Sequence, residues 1–149
     1  LAQSYRQRLP HLQIIDARQR QGAAYARNAG ARQARGAALA FCDADDQVGE
    51  RWLSAVATPL TPYPCVASRF EFNKLNGWWA DSGLRHAQET SLQRIGYPPY
   101  WHHAGGSGLA LLRPIHEETG GFDANNKIRQ VQAMMASCDR RTAAGRRGG

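Results

Sequence analysis

The run QGAAYARNAGARQARGAALAFCDADDQVGERW, from Gln21 to Trp52, restricts the fold more than any other part of the chain. Alanines cover most of one face of a helix over Gln21 to Arg35, with Arg27, Arg32 and Arg35 on the others. Alanine is the strongest intrinsic helix former, and small side chains let a helix pack closely on a sheet. Gly36 is placed to cap that helix at its C-terminus. Ala37 to Cys42 is a continuous apolar run, the pattern of a strand buried on both faces of a parallel sheet. Helix, glycine and buried strand in this order predict an α/β domain.

The strand runs into Asp43-Ala44-Asp45-Asp46. Three carboxylates this close repel one another unless a cation or hydrogen-bond donors compensate them. In open α/β sheets the carboxyl ends of the strands are where ligands bind. The loop therefore suggests a site for a hard metal, and with it a phosphate-bearing ligand. The bland alternative is that Asp45 or Asp46 caps the helix that follows. That helix is expected from Val48 to Leu60, with Trp52, Leu53 and Val56 facing the core and Pro59 and Pro62 closing it.

Before this region, Leu9 to Ile15 reads as a short strand followed by Asp16, and Leu1–Leu9 as the end of a helix. Beyond it, Cys65 to Phe72 alternates in part and suggests another strand. Residues 73–104 show little periodicity but carry Trp78, Trp79 and Trp101, which suit a sugar-stacking platform or a core equally well. His102-His103 fits an exposed or structural loop pair better than a metal or acceptor contact. Gly105-Gly106-Ser107-Gly108 leads into the apolar strand LALL and a helix from Pro114, which halts at Gly120-Gly121. The glycines Gly22, Gly30 and Gly36 do not have the spacing of a phosphate-binding GxGxxG and read as turn and packing residues.

The chain has 149 residues, 42% hydrophobic and 21% charged, which suits one domain with a real core. Of its net charge of +7, six basic residues from Lys127 to Arg147 against Asp139 account for +5. The body is thus not a basic, nucleic-acid-binding domain. Cys42, Cys65 and Cys138 have no metal or disulfide-framework spacing and are expected to be reduced thiols in a cytoplasmic protein. No apolar run is long enough to cross a bilayer.

Gly22, Ala26-Arg27-Asn28, Gly30, Gly36 and FCDADD together resemble the core of family 2 glycosyltransferases of the GT-A (Rossmann-like) fold. GGSGLALLRPIHEETGGFD, residues 105–123, resembles the second motif of the same family. The resemblance implies transfer of a sugar from a nucleoside-diphosphate-sugar, a UDP-sugar by expectation, to an acceptor hydroxyl. It implies Mn2+ or Mg2+ as cofactor, a hard cation suited to oxygen ligands. It assigns the metal to Asp45, the ribose or donor sugar to Asp43, and the donor site to Arg27, Asn28, Asp43, Asp45 and Asp46. Gly105, Gly106 and Asp123 fall in its sugar and acceptor loop. The acceptor, whether saccharide, lipid-linked or protein, is left open.

Two departures from the family pattern set further expectations. The family's first strand–helix unit, with its acidic nucleotide-gripping motif, is not found before Leu1. No carboxylate lies between Asp123 and Asp139, where the family supplies its catalytic base, so that base is unassigned. Residues 1–126 are therefore expected to be an incomplete GT-A domain with impaired transfer, and 127–149 a basic, disordered or frameshifted tail. Met134-Met135-Ala136 must be encoded ATG-ATG-GCN, which reads Asp-Gly from one nucleotide earlier. A coding sequence with no indel relative to intact relatives would overturn the frameshift hypothesis. The alternatives are an inactive nucleotide-sugar- and metal-binding remnant and, less favoured, a small basic protein that binds nucleic acid or membrane. The expected location is the cytoplasm, with the inner face of the membrane as a peripheral site.

Overall fold

The computed structural model describes residues 2–71, 74–75, 88, 93–94 and 102–123. A 3-10 turn at Ala2–Tyr5 precedes helix α1 (Ala23–Gln33), strand β1 (Ala38–Ala40), helix α2 (Trp52–Ala57) and a 3-10 turn at Thr58–Leu60. Strand β2 (Cys65–Ala67), a hairpin of β3 (Gln93–Arg94) and β4 (His102–His103), strand β5 (Leu109–Leu112) and helix α3 (Arg113–Glu118) follow. Helices α1 and α2 alternate with β1 and β2 in the first part of the chain. The later strands follow one another before α3, a mixed arrangement consistent with an incomplete α/β domain.

The LALL segment is the centre of the sheet. Strand β5 lies between β1 and β2 and pairs antiparallel with both, with Leu39 opposite Leu111 and Val66 opposite Ala110. Leu109, Ala110 and Leu111 are fully buried. A short apolar run with both neighbours in place buries both faces, which the continuous hydrophobic pattern demands. Around it Ala24, Ala31, Leu39, Phe41, Ile115 and Phe122 form the main core, and Val56 and Leu60 form a second cluster against Ala110.

Several expectations are corrected here. Strand β1 runs antiparallel to its neighbour and is not buried on both faces: Leu39 is buried while Ala38 and Ala40 are exposed. Leu9 to Ile15 forms no strand, and Ile14 and Ile15 are exposed, because no strand among the described residues pairs with it. Helix α2 starts at Trp52 rather than Val48, so its turn geometry leaves Leu53 66% exposed while Val56 is buried. Helix α1 ends at Gln33 without a glycine cap, its Ala34 being extended. Its C-terminal carbonyls are covered instead by Arg113. That guanidinium donates to the carbonyl oxygens of Ala31, Ala34 and Gly36 at 2.7–3.2 Å. A cation on the free carbonyls at the negative end of a helix is favourable.

The GG stop behaves as the sequence predicts. Helix α3 carries Pro114 in its first turn, and Gly120 and Gly121 have φ of +72° and +77°. Trp78, Trp79, Trp101 and the whole of 127–149 lie outside the described residues. Among the described residues no helix is long and apolar enough to cross a membrane.

Candidate functional site

The two sequence motifs meet in space at the end of β1. Beyond Ala40 the ladder to the opposing chain continues, with Phe41 N–H donating to the Leu109 carbonyl at 2.9 Å and Gly108 N–H to the Phe41 carbonyl at 2.8 Å. The D-A-D-D loop and the glycine loop 105–108 are thereby held side by side. The Asp46 amide donates back to the Asp43 carbonyl at 3.2 Å, which folds the acidic loop into a tight turn.

The three carboxylates end in different surroundings. Asp43 is paired with Arg27 of α1, whose Nη2 donates to Oδ1 at 2.5 Å and to Oδ2 at 2.8 Å. Asp46 accepts a hydrogen bond from the Ser107 hydroxyl. Asp45 is exposed and has no partner among the described residues. Neither Asp45 nor Asp46 caps α2, whose N-cap position is Arg51 and has no side-chain cap. The capping alternative is thereby removed. Repulsion within the cluster is relieved by a cation for Asp43, by a donor for Asp46 and by solvent for Asp45.

Arg27 is buried to the point that its side chain is only 16% exposed. Its guanidinium carbon lies 5.4 Å from the centre of the Phe122 ring, a cation–π contact. Only Nη2 reaches the carboxylate, and Nε is buried with no hydrogen-bond partner. The arginine thus keeps donor capacity beyond the pair it makes. Its seat depends on Gly106, where an added Cβ would lie 2.4 Å from Nη1 and 2.7 Å from the guanidinium carbon. No side chain other than hydrogen fits there while Arg27 stays in place.

Asn28, the next residue of α1, points at the other motif. Its Nδ2 donates to the Phe122 carbonyl at 2.7 Å and its Oδ1 accepts the Phe122 amide at 2.8 Å. These two bonds fix the amide orientation, so Oδ1 is an acceptor toward His116 as well, and His116 Nε2, 3.2 Å away, carries the proton. Gly121 makes room for this clamp, since a Cβ on it would fall 2.5 Å from Asn28 Oδ1. Burial holds the His116 imidazole below its ordinary pKa, with Arg113 and Arg32 adding to the shift and Glu117 opposing it. Its ring packs against both Phe41 and Phe122, which themselves meet edge to face at 4.9 Å.

The sequence-predicted residues Arg27, Asn28, Asp43, Asp46, Gly105 and Gly106 are therefore brought together, with Asp45 at the solvent edge. Asp123 closes the GGFD turn and has interactions of its own. His102 sits on the β3–β4 hairpin. Two residues that the sequence reading does not assign to the site also belong here: Ser107 and Gln88. Ser107 joins the two loops, and Gln88 is buried at 3% exposure with φ +66°. Ser107 lies within the glycine loop of the second motif, where only the glycines stand out, and a lone glutamine in an aperiodic stretch carries no recognisable pattern.

Cys42 is a free thiol beside the loop. Burial raises its pKa, and the Asp46, Asp43 and Asp45 carboxylates raise it further, an electrostatic record of the acidic cluster. Cys65 is disulfide-bonded, which corrects the expectation of three reduced thiols; its partner lies outside the described residues. Among the described residues no group of three or more His, Cys, Asp or Glu side chains converges as a metal cage. An open hollow over α2, lined by Gly49, Arg51, Trp52 and Thr58, shares no residue with the predicted site.

The family model for Glycosyl transferase family 2 matches residues 1–120, a span that includes both motifs up to the Gly120 stop. The chain belongs to glycosyl transferase family 2. Its α/β architecture, a GT-A-type domain, and its standing as a glycosyltransferase-like domain go with that membership. Neither a search of curated proteins nor one of solved structures finds a significant match.

Proposed function

We propose that the end of β1 is a donor site for a nucleoside-diphosphate-sugar, a UDP-sugar in the first instance, used for transfer to an acceptor hydroxyl. The observation that carries this is the convergence of Arg27, the D-A-D-D loop and the glycine loop at one strand end, through the Arg27–Asp43 pair and Ser107.

Asp45 is the carboxylate that suits a divalent cation. It is the one member of the cluster without a protein partner among the described residues. Mg2+ or Mn2+ is commonly held by one or two carboxylates together with substrate phosphates and water, so a three-residue cage is not required. When bound, the cation would supply charge neutralisation of the departing diphosphate. Arg27 has unused donors for a phosphate oxygen beside the Asp43 carboxylate, and Asp43 would face the ribose or donor sugar. Asn28 serves by fixing the GGFD turn, and so Asp123, relative to α1. Asp46 holds the loop, and Gly106, which makes room for the Arg27 guanidinium, would with Gly105 line the sugar and acceptor pocket.

Transfer is expected to be impaired. An inverting displacement needs a base on the acceptor hydroxyl, and no carboxylate occurs between Asp123 and Asp139. Donor binding with little turnover is the second reading, favoured by that gap. Residues 1–126 would carry the site, and the basic segment 127–149 would be a separate tail with at most peripheral attraction to an anionic surface.

Calorimetric titration of the chain with a UDP-sugar, with and without Mn2+, tests the assignment alongside Asp45→Ala. Metal-dependent binding abolished by Asp45→Ala is the expected result. Binding that is absent, or indifferent to both metal and Asp45, refutes the assignment. Product formation in the same mixtures separates transfer from binding alone.

A further inference from the structure

The hydrogen bonds of Ser107 run to both sides of Asp45. Its Oγ accepts the Asp43 backbone N–H at 3.1 Å, and its hydroxyl hydrogen goes to Asp46 Oδ2. Ser107 is itself 8% exposed, so these bonds are largely shielded from water. One hydroxyl therefore fixes the backbone of Asp43, which opens the D-A-D-D loop, and the side chain of Asp46, which closes it. Asp45 is left as the carboxylate with no partner among the described residues.

The loop that carries Ser107 is fixed from its opposite side by Gln88. Gln88 Nε2 donates to the Ser68 carbonyl at 2.6 Å, and Oε1 accepts the Gly105 N–H at 2.8 Å. Its own carbonyl accepts the Phe70 N–H at 3.2 Å. A glutamine with φ +66°, buried at 3%, sits in the left-handed region that residues other than glycine disfavour, and it persists where its surroundings over-determine it. Three bonds to backbone groups provide that. Ser68 in turn accepts the Trp52 Nε1 hydrogen at 2.7 Å, which ties the chain of contacts to α2.

We infer that Ser107, seated by Gln88, is a positioning residue that locks Asp43 and Asp46 to the glycine loop and leaves Asp45 as the carboxylate presented to ligand. The hydrogen-bond arrangement stands by itself. The consequence for ligand affinity rests on the donor-site proposal above. Outer contacts that orient a metal-ligating carboxylate typically change metal affinity by about 10–100-fold when removed.

Two variants of the full chain test this, Ser107→Ala and Gln88→Gly. Glycine accepts the positive φ at position 88 without strain, so the second variant removes the amide contacts while sparing the backbone. Titration with Mn2+ and UDP is expected to be ~10–100-fold weaker for both variants, measured on protein that retains its circular dichroism and cooperative melting. A merely structural role would lower the melting temperature and leave the affinity of the folded protein unchanged, and that result overturns the inference. If Ser107→Ala does not fold, Gln88→Gly decides by the same criterion. If the wild-type chain fails to bind Mn2+ and UDP, the donor-site proposal falls, and amide hydrogen exchange decides the positioning role separately. The Asp43 amide must then be protected in the wild-type chain and exchange at least about tenfold faster in the variant, a loss of roughly 1.4 kcal/mol of protection. An Asp43 amide that exchanges freely in the wild type refutes it.

Discussion

Replacing Asn28 tests how the two motifs are joined. Asn28→Ala removes the donor of the Phe122 carbonyl and the acceptor of its amide, bonds of 2.7 and 2.8 Å, and deprives His116 Nε2 of its acceptor. Phe122 is 2% exposed, so water cannot freely replace these partners. A net hydrogen bond contributes about 0.5–1.5 kcal/mol, and a buried group left unpaired costs about 1–3 kcal/mol. Allowing for partial relaxation around the small side chain, the loss should be about 2–4 kcal/mol. For a chain of this size that is a fall in melting temperature of roughly 5–15 °C. Urea unfolding at pH 7.5, followed by tryptophan fluorescence and circular dichroism together, measures it.

Asn28→Asp provides the internal control. Its carboxylate still accepts from Phe122 and His116 but cannot donate to the Phe122 carbonyl and sets an oxygen against it, so at pH 7.5 it should cost no less than the alanine variant. The carboxylate would also raise the His116 pKa above its ordinary value, opposite to the wild-type shift. A raised pKa contributes stability below pH ~6.5 that is lost as pH rises through the folded value. Asn28→Asp should therefore gain on Asn28→Ala as the pH falls. A cost for Asn28→Ala below about 0.5 kcal/mol, the range of ordinary surface substitutions, refutes the clamp.

In the wild-type chain the His116 shift is downward, so its contribution is fully present above the ordinary value of 6.5 and is lost as pH falls from there through the lowered folded pKa. Stability should thus drop between pH 7.5 and 5.5, and His116→Gln should flatten that slope in paired urea titrations. Gly106→Ala places a methyl 2.4 Å from Arg27 Nη1 and must displace the guanidinium from Asp43. It should cost about 1–3 kcal/mol by overpacking and weaken UDP-sugar binding, both readable in one calorimetric series; unchanged values in both would refute the seat. Arg113→Ala uncovers the carbonyls of Ala31, Ala34 and Gly36, with an expected loss of about 1–2 kcal/mol. Amide exchange should show that loss as fraying of the last turn of α1.

What was readable in the sequence follows how local each determinant is. Helix α1, the apolar strand β5 and the stop at Gly120-Gly121 depend on propensity, burial pattern and backbone freedom within a few residues, and each appears where the sequence places it. Leu9 to Ile15 has the composition of a strand, but a strand exists only beside another, and composition cannot supply the neighbour. Leu53 and the start of α2 fail for a related reason. The turn of the acidic loop covers only Ala44 and Asp45, and the chain then stays irregular until Glu50. The short α2 that begins at Trp52 buries Val56, while Leu53, one residue round from Trp52, lies on its exposed side.

The site divides along the same line. Arg27, Asn28 and the aspartates are visible as residue types in a familiar order, yet their partners are 16 to 94 positions away. Those partners give each residue its place: Asp43 is held by an arginine, Asp46 by a serine, and Asn28 by the turn that ends the second motif. Gln88 has no local pattern at all, because its position is fixed by backbone groups of Ser68, 20 residues before it, and Gly105, 17 residues after it. The family match to residues 1–120 takes in the first motif and the second as far as Gly120. The hydrogen bonds add a division of labour that motif order could not convey, in which two carboxylates of the D-A-D-D loop hold the structure and the third faces solvent. Affinity for a cation should therefore respond most to Asp45, and less to Asp43 and Asp46, whose replacement would act through the shape of the loop.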